Sequence, residues 1–257
     1  TSSSNNVVAV TGASSLWSNR IDLFVGRNGA GNALTISNGA RVENSFGYIG
    51  FNMISSDNVV TVTGANSMWS NLGDLFVGRN GAGNALTISN GASVFNGDGN
   101  IGVNSSSSNN VALVTGTGSL WSIQNILRVG ESGAGNALTI SNGARVENNI
   151  GAIGFNTSSS NNMVTVTGPG SLWSNRDDLY VGFNGAANTL TISNGARVQN
   201  STGYIGTGTS SSNNVVAVTG ASSLWSNRND LFVGQNAAAN TLTISNGASV
   251  FNGNGYI

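Results

Sequence analysis

Short stretches in which apolar and polar residues alternate recur along the whole chain. In VVAVT and ALTIS, Val8 and Val10 and then Leu34 and Ile36 fall on one side of an extended backbone, while hydroxyl residues such as Thr35 fall on the other. Alternation with a period of two is typical of half-buried strands, and no stretch requires the 3.6-residue period of a helix. The pattern therefore predicts an all-β chain.

The alternating stretches return at a fixed interval. The five tryptophans stand 52 residues apart, at Trp17, Trp69, Trp121, Trp173 and Trp225. Within each 52-residue unit the second half resembles the first at an offset of 26, and this offset connects ten asparagines: Asn6, Asn32, Asn58, Asn84, Asn110, Asn136, Asn162, Asn188, Asn214 and Asn240. Periods of this kind are the mark of stacked repeat architectures.

Each 26-residue step contains three strand-like runs, which predicts a parallel β-helix, also called a β-solenoid. We expect about ten 26-residue coils of three strands, arranged as five 52-residue double-coil repeats that form a single array over residues 1–257. With strands about 4.8 Å apart, ten coils would form a rod about 48 Å long. Since the repeat pattern runs to both ends of the chain, we expect a segment of a longer array.

The 26-residue offset also predicts which side chains face inward in the second and third runs. In the second run it places Leu16, Val42 and Met68 inward, with Trp17 and Glu43 outward. In the third run it predicts an inward column made of Leu23, Ile49, Leu75, Ile101, Leu127, Ile153, Leu179, Ile205, Leu231 and Ile257. The outward aromatic rings of the third run, such as Phe24, would then alternate with glycines such as Gly50.

The asparagine column has the inward parity of the neighbouring valines, so we expect its amides to stack at a corner and to form a hydrogen-bonded ladder. A buried amide without a partner costs about 1–3 kcal/mol, so each asparagine depends on its neighbours. Asn-Gly pairs such as Asn38-Gly39 mark another corner, where we expect positive φ.

Composition and charge narrow the range of functions. Nine arginines and ten carboxylates give a net charge of -1, and no basic stripe is available for nucleic acid. Histidine, lysine and cysteine do not occur, so the serines have no ordinary base to activate them and no disulfide framework exists. We expect no catalytic residues, no cofactor, no metal site and, since no apolar run is long enough, no membrane insertion.

Two outward features are candidates for binding. The tryptophans Trp17, Trp69, Trp121, Trp173 and Trp225 would form an interaction stripe for glycans if they face outward, although they could instead cover exposed backbone and pair with arginines. The outward hydroxyl residues of the first run, such as Thr35 and Ser37, form a Thr/Ser ladder that could contact ice.

The segments VTGASSLWSN, DLFVG, GNALTISNGARV and GYIG resemble the repeats of bacterial autotransporter passengers and of PEP-CTERM-associated surface proteins. The likeness covers the whole chain. It implies a secreted, right-handed β-helix that is displayed on a bacterial cell surface as a stalk, an adhesin or a fibre.

The residues and the resemblance together favour a non-enzymatic, extracellular structural repeat protein: a filament, a stalk or an adhesin passenger. The alternative is a binding module that uses the tryptophan stripe or the Thr/Ser ladder. The expected partners are further copies of the chain, or the rest of a longer fibre, together with glycan or cell-surface contacts.

Overall fold

A computed structural model describes residues 3–257 of the chain. Within that range the protein consists of strands and connecting turns, without a helix. Strands of the first five coils are β1 (Val7–Thr11), β2 (Leu16–Ser18), β3 (Leu23–Val25), β4 (Ala33–Ser37), β5 (Arg41–Asn44), β6 (Gly47–Ile49), β7 (Val59–Thr63), β8 (Met68–Asn71), β9 (Leu75–Val77), β10 (Ala85–Ser89), β11 (Ser93–Asn96), β12 (Gly99–Ile101), β13 (Val111–Thr115), β14 (Leu120–Ile123) and β15 (Ile126–Val129). Strands of the next five coils are β16 (Ala137–Ser141), β17 (Arg145–Asn148), β18 (Ile150–Ile153), β19 (Met163–Thr167), β20 (Leu172–Asn175), β21 (Leu179–Val181), β22 (Thr189–Ser193), β23 (Arg197–Asn200), β24 (Gly203–Ile205), β25 (Val215–Thr219), β26 (Leu224–Asn227), β27 (Leu231–Val233), β28 (Thr241–Ser245), β29 (Ser249–Phe251) and β30 (Gly255–Tyr256).

The strands form three parallel sheets of ten strands each. Every coil contributes one strand to each sheet: sheet A begins with β1 and β4, sheet B with β2 and β5, and sheet C with β3 and β6. We number the coils along the chain, so that odd coils contain the tryptophans. The predicted all-β solenoid of about ten coils is confirmed.

Sheet A follows the predicted 26-residue register. Val8 pairs with Leu34, Leu34 with Val60, and the same spacing continues to β28. Leu34, Val60 and Ile36 are buried in the core, so the alternation in the first run indicated the correct inward side.

Sheet B does not keep the 26-residue register, and the predicted orientation of its side chains is wrong in every odd coil. Trp17 pairs with Val42 and Val42 with Trp69, so that successive partners are 25 and 27 residues apart. Trp69 is buried, whereas Leu16 is exposed. The cause is corner length, because four residues separate β1 from β2 whereas three separate β4 from β5.

Sheet C departs further from the 26-residue register, because successive partners are alternately 24 and 28 residues apart. Leu23 pairs with Gly47 and Gly47 with Leu75, while Val25 pairs with Ile49. The predicted column that joined Leu23 to Ile49 is therefore wrong. The last corner restores the total, because seven residues separate β3 from β4 and nine separate β6 from β7. The 52-residue period is kept in all three sheets, and the 26-residue period is kept only in sheet A.

The alternation between odd and even coils fills the core with complementary volumes. A Cβ atom added at Gly47 would lie 2.8 Å from Trp69 Cζ2 and 2.9 Å from Leu75 Cδ1, closer than ordinary packing allows. Odd coils therefore carry a large indole and a leucine, and even coils carry a valine and a glycine beside them. This complementarity explains why two coils, rather than one, form the repeating unit.

The predicted asparagine ladder is confirmed. From Asn6 to Asn240, each Nδ2 donates to the Oδ1 of the asparagine 26 residues later, at 2.9–3.1 Å. The same oxygen also accepts the backbone N–H of the earlier asparagine, as when Asn110 N donates to Asn136 Oδ1 at 2.9 Å. The Asn-Gly corner also has the expected backbone, with φ of 55° at Asn38 and 82° at Gly39.

Residues 3–257 include no helix whose length and hydropathy would let it cross a membrane.

Candidate functional site

The tryptophans do not form a surface stripe. Trp69, Trp121, Trp173 and Trp225 are completely buried, and the half-buried Trp17 packs against the same core. Their inward position follows from the extra residue at the odd corner, which reverses the expected parity of the strand. Solvent-facing indoles, which the glycan interpretation requires, are therefore not found at the predicted stripe.

Each buried indole is fixed by an asparagine that the sequence reasoning missed. Trp69 Nε1 donates to Asn44 Oδ1 at 2.7 Å, and Trp121, Trp173 and Trp225 make the same bond, at the same length, to Asn96, Asn148 and Asn200. These acceptors belong to a second asparagine column, at the end of the sheet B strands: Asn44, Asn71, Asn96, Asn148, Asn175, Asn200 and Asn227. The motifs LWSN and RVEN carry its signal in the sequence, but at unequal spacing.

The outer face of sheet C carries aromatic ladders. The rings of Phe24, Tyr48 and Phe76 stack with centroids 4.8 and 4.9 Å apart, and Tyr180, Tyr204, Phe232 and Tyr256 stack at 4.8, 5.2 and 4.6 Å. The predicted alternation of ring and glycine is wrong here, because Phe24 pairs with Tyr48 rather than with Gly50. Since the ring faces contact one another, mainly ring edges remain for a ligand.

Burial changes the titration of these rings. It raises the pKa of the Tyr48 and Tyr204 hydroxyls. Burial also raises the pKa of Tyr180, and the Asp178 carboxylate, which accepts its hydroxyl at 3.2 Å, raises it further. The hydroxyls of Tyr48, Tyr180 and Tyr204 therefore lose their protons at higher pH than a fully exposed tyrosine would.

One charged cluster interrupts the aromatic ladders where Asn100, Arg128 and Ala152 occupy the ring positions. Arg128 Nη1 lies 2.9 Å from Asp98 Oδ2 and 3.1 Å from Asn100 Oδ1, and its guanidinium lies 5.2 Å from the centroid of the Phe155 ring. Burial raises the pKa of the nearby Glu131, while Arg128 opposes that shift. Through these contacts Arg128 links its own coil to the coil before it and to the coil after it.

The outer face of sheet B carries arginine and glutamate side chains in two neighbouring columns. Leu16, Arg41 and Met68 share one outward column, and Ser18 and Glu43 share the next. Arg41 Nη2 lies 3.1 Å from Glu43 Oε1, and Arg145 Nη2 lies 2.5 Å from Glu147 Oε1. Exposed pairs of this kind contribute about 0–1 kcal/mol each, so they mainly keep the face hydrated.

The outer face of sheet A has neither a charge nor an aromatic ring at any outward position of its strands. Three columns make up this face. The first alternates valine and alanine in its first six coils and then methionine or valine with threonine: Val7, Ala33, Val59, Ala85, Val111, Ala137, Met163, Thr189, Val215 and Thr241. The second column is mostly threonine, interrupted by Ala9, Leu113 and Ala217. The third alternates threonine and serine from Thr11 to Ser245.

The hydroxyls of the third column bond to one another in pairs. Ser37 Oγ and Asn38 Nδ2 each lie 3.0 Å from Thr11 Oγ1, and this arrangement recurs in every odd–even pair of coils. The predicted Thr/Ser ladder is therefore an internally bonded surface, and its contact with ice stays a prediction.

In the described range, His, Cys, Asp and Glu side chains form no group of three or more that could hold a metal ion. Comparisons of the chain with protein-family models, with curated proteins and with solved structures gave no match. The resemblance to autotransporter and PEP-CTERM-associated repeats therefore stays a prediction from the sequence motifs. The three outer faces are the surfaces through which the solenoid can contact other molecules.

Proposed function

We propose that this chain is a non-enzymatic structural rod of the bacterial cell exterior, which serves as a stalk, a filament or the shaft of an adhesin. The observation that carries the proposal is the uniform stacking of ten coils, each of which extends all three sheets by one strand. Because every 52-residue unit keeps its length, an added unit adds about 9.6 Å of rod and leaves the cross-section unchanged.

Contacts between successive coils, in the core and on the outer face of sheet C, support a mechanical role. The asparagine ladder, the tryptophan–glycine packing and the aromatic ladders all connect one coil to the next. Contacts of this kind along the axis resist bending and separation of the coils. A stiff spacer of adjustable length requires this combination of properties.

The extracellular location is supported by the resemblance of the LTISNGA and SLWS motifs to bacterial surface repeats. Low charge and a polar surface of Ser, Thr, Asn and Gly are compatible with it, since charged residues make up only 7% of the chain. Adhesion through the tryptophans is not part of the proposal, because these side chains are buried.

The spacer role predicts that reach scales with repeat number. Shorter and longer arrays would be anchored at one end to a supported bilayer and labelled with a fluorophore at the other, and the fluorophore height measured by interference microscopy. We expect the height to rise by about 9.6 Å for each 52-residue unit. Heights that stay constant, or that rise as for a flexible coil, would contradict a rigid spacer.

Location is tested separately, with antibodies against the purified chain applied to intact cells of the source organism. We expect surface labelling without permeabilisation. Labelling that requires permeabilised cells would overturn the exterior location, whatever the result of the height measurement.

A further inference from the structure

We propose that the outer face of sheet A, meaning the outward residues of its ten strands, is a docking surface for a second copy of this chain, so that rods pair side by side. This inference rests on the proposed function as a rod, and it specifies how rods associate.

The outer face of sheet A differs in charge from the outer faces of the other two sheets. Sheet B carries Arg41 and Glu43 on its outer face, and sheet C carries Asp98 and Arg128, whereas the outward positions of sheet A carry no charge. Removing charges from water is costly, and the cores of protein interfaces are depleted in them. Two sheet A faces can therefore meet without burying a charge.

The first outward column of sheet A also varies in side-chain size from coil to coil. In the first outward column Val59, Val111, Met163 and Val215 are 38%, 43%, 46% and 37% exposed, and they form ridges in the odd coils. Smaller residues such as Ala85 lie between them in the even coils. The ridges repeat about every 9.6 Å, which is two strand spacings.

A second copy fits this corrugation when the rods run antiparallel about a two-fold axis that lies along the strands. That operation places the first column of one copy against the first column of the other. With full overlap of ten coils, each odd coil faces an even coil: Val111 faces Ala137, Met163 faces Ala85 and Val215 faces Ala33. These ridges therefore enter valleys, while Val7 and Val59 face threonines of similar size. The face is thus complementary to itself, as a two-fold interface requires.

The area of the sheet A face is also large enough for a stable interface, and part of its polar surface is already hydrogen-bonded. Ten strands about 4.8 Å apart and five residues at about 3.3 Å each give a face of roughly 800 Å², which matches the roughly 800 Å² per partner of a standard stable interface. The third column's hydroxyls already bond to each other, as Ser37 Oγ does to Thr11 Oγ1 at 3.0 Å. Burying the third column therefore leaves few unpaired polar groups, whereas the threonines of the second column need partners across the interface, and there Thr61 would face Thr191 and Thr87 would face Thr165 of the other copy.

The same features disfavour ice as the occupant. A crystal plane is flat, whereas valine ridges alternate with alanine valleys in coils 1 to 6, and Ala9, Leu113 and Ala217 interrupt the threonine column. A partner with the same corrugation fits the face better than a plane.

The test is sedimentation velocity of the full chain from micromolar to hundreds of micromolar concentration. We expect the wild type to dimerise and Val111→Lys to raise the dimer Kd roughly a hundredfold or more, since the two-fold interface would bury both added charges. The matched control is Leu120→Lys in the same coil, which points outward from sheet B and is expected to leave the Kd unchanged.

A second measurement applies even where the lysine variant fails to fold. The chain has no cysteine, so separately purified Val111→Cys and Ala137→Cys proteins can be mixed and treated with a short bismaleimide cross-linker, since facing sheets lie about 10 Å apart and a direct disulfide would not span them. We expect the mixed cross-linked dimer to exceed either homodimeric product, because full antiparallel overlap places coil 5 against coil 6. Leu120→Cys mixed with Ala137→Cys should give only background cross-linking.

Three results would overturn the proposal: a wild type that stays monomeric throughout the range, a dimer that survives Val111→Lys, or a monomer whose inhibition of ice recrystallisation is lost in Val111→Lys. The last result would assign the face to ice. None of these results bears on rod height, so failure here is distinguishable from failure of the spacer role.

Discussion

The two asparagine columns use the same side chain with different consequences. In the first column, from Asn6 to Asn240, one asparagine per coil bonds to the next without interruption. In the second column, the even-coil asparagines, such as Asn148, accept a tryptophan indole and donate to an asparagine of the next coil, at 2.6 Å for Asn148 and Asn175. The first column is a single chain of bonds, and the second is a series of short clusters.

The difference appears where the sequence varies. Ile123 occupies the position that Asn71 and Asn175 hold in other units, and Asn96 Nδ2 consequently has no hydrogen-bond partner although it is buried. Trp121 still donates to Asn96 Oδ1 at 2.7 Å. The second column therefore tolerates an interruption at the cost of one unpaired donor, whereas each oxygen of the first column accepts two donors and an interruption there would affect both.

The sharpest way to test this contrast is to interrupt both columns by the same change. Asn136→Ala should lower the free energy of unfolding by about 2–4 kcal/mol, because Asn110 loses the acceptor of its backbone N–H and of its Nδ2. Asn175→Ala should cost about 1–2 kcal/mol, since Asn148 Nδ2 loses its acceptor and Gln199 O loses only a long hydrogen bond of 3.4 Å. Denaturant titrations followed by circular dichroism would measure both costs.

Hydrogen exchange at the Asn110 amide should also accelerate in Asn136→Ala and stay slow in Asn175→Ala. The exposed Asn125 supplies the control, since Asn125→Ala should change stability by less than about 0.5 kcal/mol. An equal or larger cost for Asn175→Ala would show that the two columns do not differ as described.

A second, smaller contrast lies in the glycines that make room for the indoles. A Cβ at Gly151 would clash with Asn175 Oδ1 and would lie 2.8 Å from Trp173 Cζ2 and 2.9 Å from Leu179 Cδ1. A Cβ at Gly99, beside the interrupted position, would lie no closer than 3.1 Å to any neighbour. Gly151→Ala should therefore cost about 1–3 kcal/mol through overpacking.

Gly99→Ala is the matched variant, and its cost should be below about 1 kcal/mol because its neighbours need to move only slightly. Thermal unfolding of the two variants, with near-ultraviolet circular dichroism of the tryptophans, would compare them. Equal destabilisation would contradict the view that the interrupted unit is packed more loosely.

The smallest effect comes from restoring the second column with Ile123→Asn. In that background Asn96 Nδ2 gains an acceptor, so Asn96→Ala should cost about 0.5–1.5 kcal/mol more than it does in the wild type. A double-mutant cycle measured by denaturant titration isolates this coupling. Strictly additive costs would mean that the restored amide does not reach its neighbour.

The sequence was sufficient for the fold because the first strand carries a complete signal. Five alternating residues at a constant 26-residue spacing determined the inward side of sheet A and the position of the first asparagine column. Strands of three or four residues, such as β2, contain too few alternations to determine their own parity. Their orientation depends on the number of residues at the preceding corner, and a constant 26-residue offset implies the same number at the equivalent corner of every coil.

The candidate sites were predicted less well for the same reason. Reversed parity in the odd coils moved Trp69 from the predicted surface into the core, and the shifted register of sheet C brought Tyr48 beside Phe24. A constant 26-residue offset does not reveal the second asparagine column, because its members lie at unequal intervals. An alignment of strands that allowed the two halves of each unit different corner lengths would have found all three features.

The unequal corners of odd and even coils restrict how such a gene can grow or shrink. Loss of a single even coil would set two tryptophan layers in contact without the intervening layer that accommodates them, and two leucines such as Leu23 and Leu75 would meet in the same way. Loss of a single odd coil would instead set two glycine layers together and leave a void. Recombination between repeats therefore preserves the protein only when it adds or removes pairs of coils, so viable length variants should differ by multiples of 52 residues.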